Sequence, residues 1–284
     1  MNLDRAFRCI FMGSPEFAVP TLLEIAHAFP GSVSAVLTQP DAPRGRGKRV
    51  SPTPVAELAD QFQIPIYKPT SKFDILPILQ RYEPDLVIVV AFGMILPRAV
   101  TDNFFCINGH ASLLPKYRGA APIHFALLNG ETETGVTLIA LNEVMDAGEM
   151  LAKEPLPIGP KDNLGTTHDA LSHLCAEMTI SFINDFLMDT MQSEPQVEDE
   201  ATYTRKLTKA DAQLDLSRPA IDLFNQVRAF APSPGAFTIL PGGVVLKVIE
   251  AEVVDDIFVP VTVKPEGKPS MPYRDYLLGH PPIL

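Results

Sequence analysis

The stretch Asp85-Leu86-Val87-Ile88-Val89-Val90-Ala91 decides the fold. It lacks the polar alternation of a strand with one wet face; a parallel sheet buries such a run on both sides. Shorter apolar runs bounded by turn residues recur around it: Phe7 to Met12, closed by Gly13-Ser14-Pro15, then Ser32 to Thr38, Ile64 to Tyr67, Phe105 to Asn108 and Gly135 to Leu141. Helical patterns separate the earlier ones, starting at Pro15 or Glu16, over Thr53 to Phe62 and over Ile75 to Tyr82. Strands spaced by crossover helices predict an α/β fold with a doubly wound, mostly parallel sheet. The longest helical pattern opens at a capping-box sequence, Thr166-x-x-Asp169, and lines up Leu171, Leu174, Met178, Phe182 and Phe186 on one core-facing side.

The text changes character at Asp189, where a polar, acidic stretch runs to Thr202 without apolar period. Beyond it, Ala220 to Phe230 reads as a helix, and Gly235 to Leu240, Val244 to Val254 and Ile257 to Val263 read as strands. This predicts a catalytic domain over residues 1–188, a linker over 189–207 and a small β domain over 208–284. A chain of 284 residues suits two domains, and 46% hydrophobic against 20% charged residues provides for a buried core. With 23 Lys and Arg against 34 Asp and Glu, the net charge of -11 excludes a protein that coats nucleic acid or anionic membrane by bulk charge. The 28 prolines exclude a fold made mainly of long helices. Cys9, Cys106 and Cys175 form no C-x-x-C pair, which predicts buried, reduced thiols, no disulfide framework and no metal. Met1 to Arg8 has no apolar secretory segment, and no run is apolar enough to span a bilayer, so a soluble, cytoplasmic protein is expected.

The text that carries chemistry is Cys106-Ile107-Asn108-Gly109-His110-Ala111-Ser112-Leu113-Leu114-Pro115, which leaves a buried strand for a loop. Ligands of open α/β sheets bind outside the carboxyl ends of strands, and Asn108 and His110, two apart, can both face that crevice. An amide dipole for a developing oxyanion and an imidazole for a proton are what acyl transfer requires. Asp146, in Val144-Met145-Asp146-Ala147-Gly148, follows another strand and is expected to orient His110 from a second carboxyl end. The residues alone leave a second reading open, in which Asn108 and His110 are a satisfied strand end and Asp146 caps its own turn. G-x-G-x-x-G and Walker spacings are absent, which disfavours nicotinamide and ATP chemistry. One segment departs from the acidic background: Gln39-Pro40-Asp41-Ala42-Pro43-Arg44-Gly45-Arg46-Gly47-Lys48-Arg49, where Arg44, Arg46, Lys48 and Arg49 outnumber Asp41. Glycines allow close approach to a phosphate and arginines can fork onto it; a solvated excursion is the alternative.

Met12-Gly13-Ser14-Pro15-Glu16-Phe17, Thr38-Gln39-Pro40-Asp41 with Gly45-Arg46-Gly47-Lys48, Asn108-Gly109-His110, Ser112 to Pro115 followed by Lys116-Tyr117-Arg118-Gly119, Met145-Asp146-Ala147-Gly148 and Tyr203-x-x-Lys206-Leu207 stand in one order. In this set the chain resembles the methionyl-tRNA formyltransferases, within the wider class that uses 10-formyltetrahydrofolate. The resemblance implies that the α-amine of methionyl-initiator tRNA attacks the formyl carbon carried by the folate. Asn108 and His110 would then stabilise the oxyanion, and His110 with Asp146 would manage the proton. It implies folate contacts at Ser112, Leu113, Leu114 and Pro115 and at the main chain around Phe92, Gly93, Met94 and Leu96. It also implies tRNA phosphate contacts at Arg44, Arg46, Lys48 and Arg49, and a monomer without metal.

Three departures stand out. Ala42 occupies a place that is commonly Arg or Lys in the family, and Leu216 and Ser233 stand where tryptophans are usual. The family's OB-like barrel is expected here in shortened form, because Val254-Asp255-Asp256-Ile257 runs almost directly into Val263-Lys264-Pro265-Glu266-Gly267-Lys268. Two rival readings follow from that shortening: a formyltransferase of the same fold for an amino-sugar nucleotide or another small amine, and a non-catalytic binder of folate or tRNA.

Overall fold

The computed structural model describes residues 6–44 and 49–283. Strands β1 (Cys9–Gly13), β2 (Val33–Leu37), β3 (Ile66–Tyr67), β4 (Leu86–Val90), β5 (Cys106–His110), β6 (Glu133–Ala140) and β7 (Met150–Pro157) form one sheet in the order β7-β6-β5-β4-β1-β2-β3. β1 pairs in parallel with β2 and with β4, β2 with β3, and β4 with β5, whereas β5 and β6 run antiparallel. The sheet is therefore mostly parallel, as the strand–helix alternation predicts. All five residues of β4 are buried, which accounts for its unbroken apolar text. Helices α1 (Val19–Ala28), α2 (Pro54–Gln61) and α3 (Ile75–Tyr82) form the crossovers.

β1 lies between β2 and β4, so the chain leaves it first to one side and later to the other. A crevice for ligands opens at the carboxyl ends of strands where connections diverge in this way. Side chains alternate along β5, so Asn108 and His110 share one face and Gly109 has the other. A Cβ on Gly109 would lie 2.4 Å from the Cys175 sulfur, because the long helix α5 (Leu164–Met188) packs there; α4 is Pro122–Leu128. Leu171, Cys175, Met178, Phe182 and Phe186 of α5 are buried, as the periodicity requires, and Leu174 is half-buried. The start of α5 differs from expectation. The Asn163 carboxamide accepts from the amides of Gly165 (2.9 Å) and Thr166 (3.2 Å), so Asn163 is the cap and Thr166 lies inside the first turn.

The segment read as a basic loop begins and ends as a hairpin: Ala42–Arg44 pairs antiparallel with Arg49–Ser51, and Arg44 stands opposite Arg49. Arg46 and Lys48 lie outside the described residues.

The chain divides into two compact units, one of Met1–Arg118, Gly135–Leu156 and Asp169–Thr202, the other of Gly119–Thr134, Pro157–His168 and Tyr203–Leu284. In the second, β8 (Ala236–Ile239), β9 (Val245–Val254), β10 (Ile257–Pro265) and β11 (Met271–Pro272) form an antiparallel sheet in that order. Helix α6 (Ala220–Phe230) covers it, burying Leu223, Val227 and Phe230 with Leu246, Val248, Phe258 and Val263. Asp255 and Asp256, at φ +51° and +61°, make the two-residue turn between β9 and β10, and paired positive φ values match the strand twist there. Among the described residues this sheet is open, with β8 and β11 at its edges.

Candidate active site

β5 delivers Asn108 and His110 to the crevice because its register carries it beyond β4: Asn108 lies opposite Val89, and His110 stands two residues further on. His110 is buried, at 6% exposure, and Asn108 is half-buried. The imidazole Nε2 lies 2.9 Å from the carbonyl oxygen of Tyr117. A carbonyl oxygen can only accept, so Nε2 carries a hydrogen and Nδ1 is the nitrogen left to exchange a proton. Nδ1 faces the Asp146 carboxylate at 3.7 Å. That separation is an ion-pair distance but too long for a hydrogen bond, so the Nδ1 position is not closed by its partner. The Asn108 carboxamide makes no hydrogen bond with any described residue, which leaves its N–H groups available to an incoming oxygen.

Asp146 reaches His110 by a route the sequence analysis did not foresee. β6 runs antiparallel to β5, with Ala140 opposite Ile107 and Thr137 opposite His110, so its carboxyl end points away from that of β5. The expectation of two converging carboxyl ends is therefore corrected: the β6–β7 connection folds back to bring Asp146 beside the imidazole. That return is tight. Asp146 has φ +54°, and a Cβ on Gly148 would lie 1.6 Å from the Ala140 carbonyl oxygen, a contact only glycine avoids.

A second wall of the crevice follows β4. Phe92 and Leu96 turn their side chains into the core, so any ligand there meets main chain. The Phe92 carbonyl accepts from Ser14 Oγ (3.2 Å) and Gln39 Nε2 (3.1 Å), and the Gln39 amide donates to Ser14 Oγ (3.1 Å). These bonds give the Gly13-Ser14 and Thr38-Gln39 motifs a local role, fastening the loop that begins at Ala91. Beyond Phe92, the main-chain groups of Gly93, Met94, Ile95 and Leu96 make no hydrogen bond with other described residues. Gly93 has φ +82°, and a Cβ there would meet only the Gln39 side chain, at an ordinary contact distance of 3.8 Å. Unused amides and carbonyls in an accessible loop fit a flat heterocycle with its own donors and acceptors, such as a pteridine.

Ser112 to Pro115 forms a locked turn. Ser112 Oγ donates to the Lys116 carbonyl (2.6 Å), while Thr137 Oγ1 donates to the Ser112 carbonyl (2.7 Å) and accepts from the Leu114 amide (3.0 Å). Leu114 packs in the core with Ile139 and Met150, Pro115 is buried, and Leu113 is half-buried. In the basic hairpin Arg49 is exposed, and Asp41 at its base pairs with Lys68, so the one acidic group there is neutralised locally. Sequence reasoning did not single out the Tyr117 carbonyl, and it gave Ser14 and Gln39 no role within their motifs. It also passed over a cavity of about 760 Å³ in the second unit, where Lys206, Lys209, Lys247 and Lys264 surround Phe230 and Phe237. Main-chain partners and cation clusters drawn from separate segments leave no local pattern in the text.

Comparison with known proteins now bears on this geometry. Residues 8–183 match the model described as formyl transferase, and residues 206–259 match the formyl transferase C-terminal domain. The chain is 36% identical over 304 residues to a methionyl-tRNA formyltransferase of Listeria monocytogenes, covering 96% of this chain and 95% of that protein. It is 45% identical over 253 residues to one of Methylococcus capsulatus, covering 87% and 81%. The chain belongs to the methionyl-tRNA formyltransferase family. Solved structures share the formyltransferase fold: an N-formyltransferase from Helicobacter canadensis in complex with folinic acid and dTDP-3-aminofucose has TM-score 0.69 at 18% identity, covering 88% of this chain and 89% of that one. A methionyl-tRNA formyltransferase from Clostridium thermocellum has TM-score 0.64 at 13% identity, covering 91% and 98%. The alignment with the Listeria formyltransferase is longer than this chain, so that relative carries segments missing here.

Proposed function

We propose that the protein transfers the formyl group of 10-formyltetrahydrofolate to the free α-amine of methionyl-initiator tRNA, giving formylmethionyl-tRNA for translation initiation. The observation that carries this reading is the identity of 36–45% to proteins named for that reaction, over most of both chains. The bound folate supplies an activated formyl group on N10. Asn108 donates through its carboxamide to the formyl oxygen as negative charge grows there. His110 takes the amine proton at Nδ1 and returns it to the leaving nitrogen, with its ring held by the Tyr117 carbonyl. The Asp146 carboxylate stabilises the imidazolium formed between those two steps. Phe92, Gly93, Met94 and Leu96 contact the pteridine through the main chain, and Ser112, Leu113, Leu114 and Pro115 form the turn behind it.

Arg44, Arg46, Lys48 and Arg49 bind acceptor-stem phosphates, for which the hairpin is suited by its charge and by the pairing of Asp41 with Lys68. The lysines around the second unit's cavity suit the same polyanion. Residues 1–188 form the catalytic domain, 189–207 the linker and 208–284 a shortened OB-like domain; the two matched segments support this division. By contacts, 119–134 and 157–168 group with the second compact unit and 189–202 with the first. The protein acts as a cytoplasmic monomer, away from membranes; no described helix is long and apolar enough to cross one.

A competition assay tests the reading. Purified protein and 10-formyltetrahydrofolate are given equal concentrations of methionyl-initiator tRNA and an amino-sugar nucleotide. Formylation of the tRNA is expected; formylation of the sugar alone would assign the protein to the small-amine branch of the fold.

A further inference from the structure

We infer that Gln196 is a positioning residue for formyl transfer: its carboxamide pins the turn that presents Asp146 to His110. The inference rests on the reading of His110 and Asp146 as the proton-handling pair. Gln196 lies in the polar stretch that carries no apolar period and so gives no reason, in the sequence, to be structured. Its side chain is nonetheless fully engaged. Nε2 donates to the carbonyl of Asp146 (2.8 Å) and to the carbonyl of Gly148 (2.8 Å). Oε1 accepts from Arg118 Nε (3.0 Å).

The chemistry fixes which end of the amide is which. Two carbonyl oxygens can only accept and a guanidinium can only donate, so the nitrogen must face the turn and the oxygen must face Arg118. Arg118 is itself immobilised. It is fully buried, and its Nη1 and Nη2 each reach a different carboxylate oxygen of Glu198 at 2.9 Å, a two-pronged pair. The buried Arg118, paired with the exposed Glu198, is therefore linked through Gln196 to the Asp146 main chain.

The turn needs such a restraint. Asp146 sits at φ +54°, a region disfavoured for a residue with a Cβ. Gly148 is pressed against the Ala140 carbonyl. Gripping both carbonyls on either side of Ala147 holds the backbone in that shape and, with it, the direction of the Asp146 carboxylate. The side-chain hydrogen bonds of Gln196 go to Asp146, Gly148 and Arg118 and not to His110, so its contribution acts through Asp146.

The test is a double-mutant cycle between Gln196→Glu and Asp146→Ala, read as kcat and KM for formylation of methionyl-tRNA. The glutamate keeps the size and the bond to Arg118 but presents a carboxylate oxygen, without donors, to two carbonyl oxygens. In the otherwise native protein it lowers kcat by at least about tenfold, on the scale at which small misplacements cost rate. KM for folate and tRNA stays within about twofold, and the thermal midpoint stays near that of the native protein. In the Asp146→Ala background the same change costs less than about twofold in kcat, because the carboxylate it positions is gone.

Equal losses in both backgrounds, or no loss in the native one, would overturn the inference. If Asp146→Ala alone leaves kcat unchanged, the underlying assignment of the proton-handling pair fails, which is a separate result. Gln196→Met runs through the same cycle should the charged variant not fold, with the same expected coupling and the same refutation.

Discussion

Gly148→Ala is a one-methyl change whose consequence can be worked from the structure. The added Cβ would stand 1.6 Å from the Ala140 carbonyl oxygen and 2.8 Å from its carbon. Real Cβ atoms essentially never come within 3.0 Å of another heavy atom, so one partner must move by more than an ångström. Ala140 is a poor candidate, because it is the last residue of β6 and its amide also donates to the Glu149 carbonyl at 2.9 Å. The 146–148 turn moves instead, carrying the Asp146 carboxylate away from His110 Nδ1. A displacement of that size at a catalytic group costs about a hundredfold in kcat. The associated overpacking lowers stability by about 1–3 kcal/mol. KM for both substrates remains near native, since neither Asn108 nor the Gly93–Leu96 loop is touched. Steady-state formylation kinetics and a thermal melt measure both effects. Native kcat with an unchanged melting temperature would refute the reasoning, because the turn would then be able to relax without consequence.

Four further outcomes are expected. His110→Ala lowers kcat by at least about a hundredfold, the usual scale for loss of a general acid–base group, measured by initial rates at saturating substrate. Reversing the charges of Arg46 and Lys48 raises KM for tRNA and flattens its dependence on salt while folate binding is spared; an identical salt slope would make the hairpin a solvated excursion. Burial pushes the thiols of Cys9 and Cys106 up to about 12 and that of Cys175 up to about 11. All three therefore stay unmodified by a thiol reagent at pH 8 in the native protein and react once it is unfolded. Because these values are raised in the folded state, the stability the neutral thiols confer is intact below pH 9 and declines as pH rises towards 11–12, which urea midpoints over that range record.

Much of the sheet was legible because its strands are buried on both faces: β1 and β4 read as unbroken apolar text and β2 as apolar text broken only at Ser34, and the expected limits fall within a residue or two of those observed. β7 was not legible. It is a half-exposed edge strand whose Lys153, Glu154 and Pro155 break any apolar pattern, and such residues guard an edge against further pairing. The hairpin around the basic loop was hidden for a related reason, since Pro43 and exposed Arg49 and Val50 do not spell a strand. The site shows the same division. Asn108 and His110 could be placed on one face of one strand from their spacing alone. The direction of β6 could not be read, because an apolar pattern is the same whichever way a strand runs; Asp146 lies beside His110 through the β6–β7 return and not through a converging carboxyl end. Tyr117 and Gln196 lay beyond sequence reasoning altogether: one bonds His110 through a carbonyl every residue has, the other bonds the Asp146 turn over a long range from a polar segment.

The proposed formyl transfer has its chemistry at the His110 end of β5. The direct measurement supplies 10-formyltetrahydrofolate labelled in the formyl group to methionyl-initiator tRNA, in the native protein and in Asn108→Ala, and follows label released with formylmethionine. Label is expected on the methionine α-amine, at a rate lowered by about a hundredfold or more without the Asn108 carboxamide. Absence of label with the native protein, or an equal rate in the variant, would contradict this expectation.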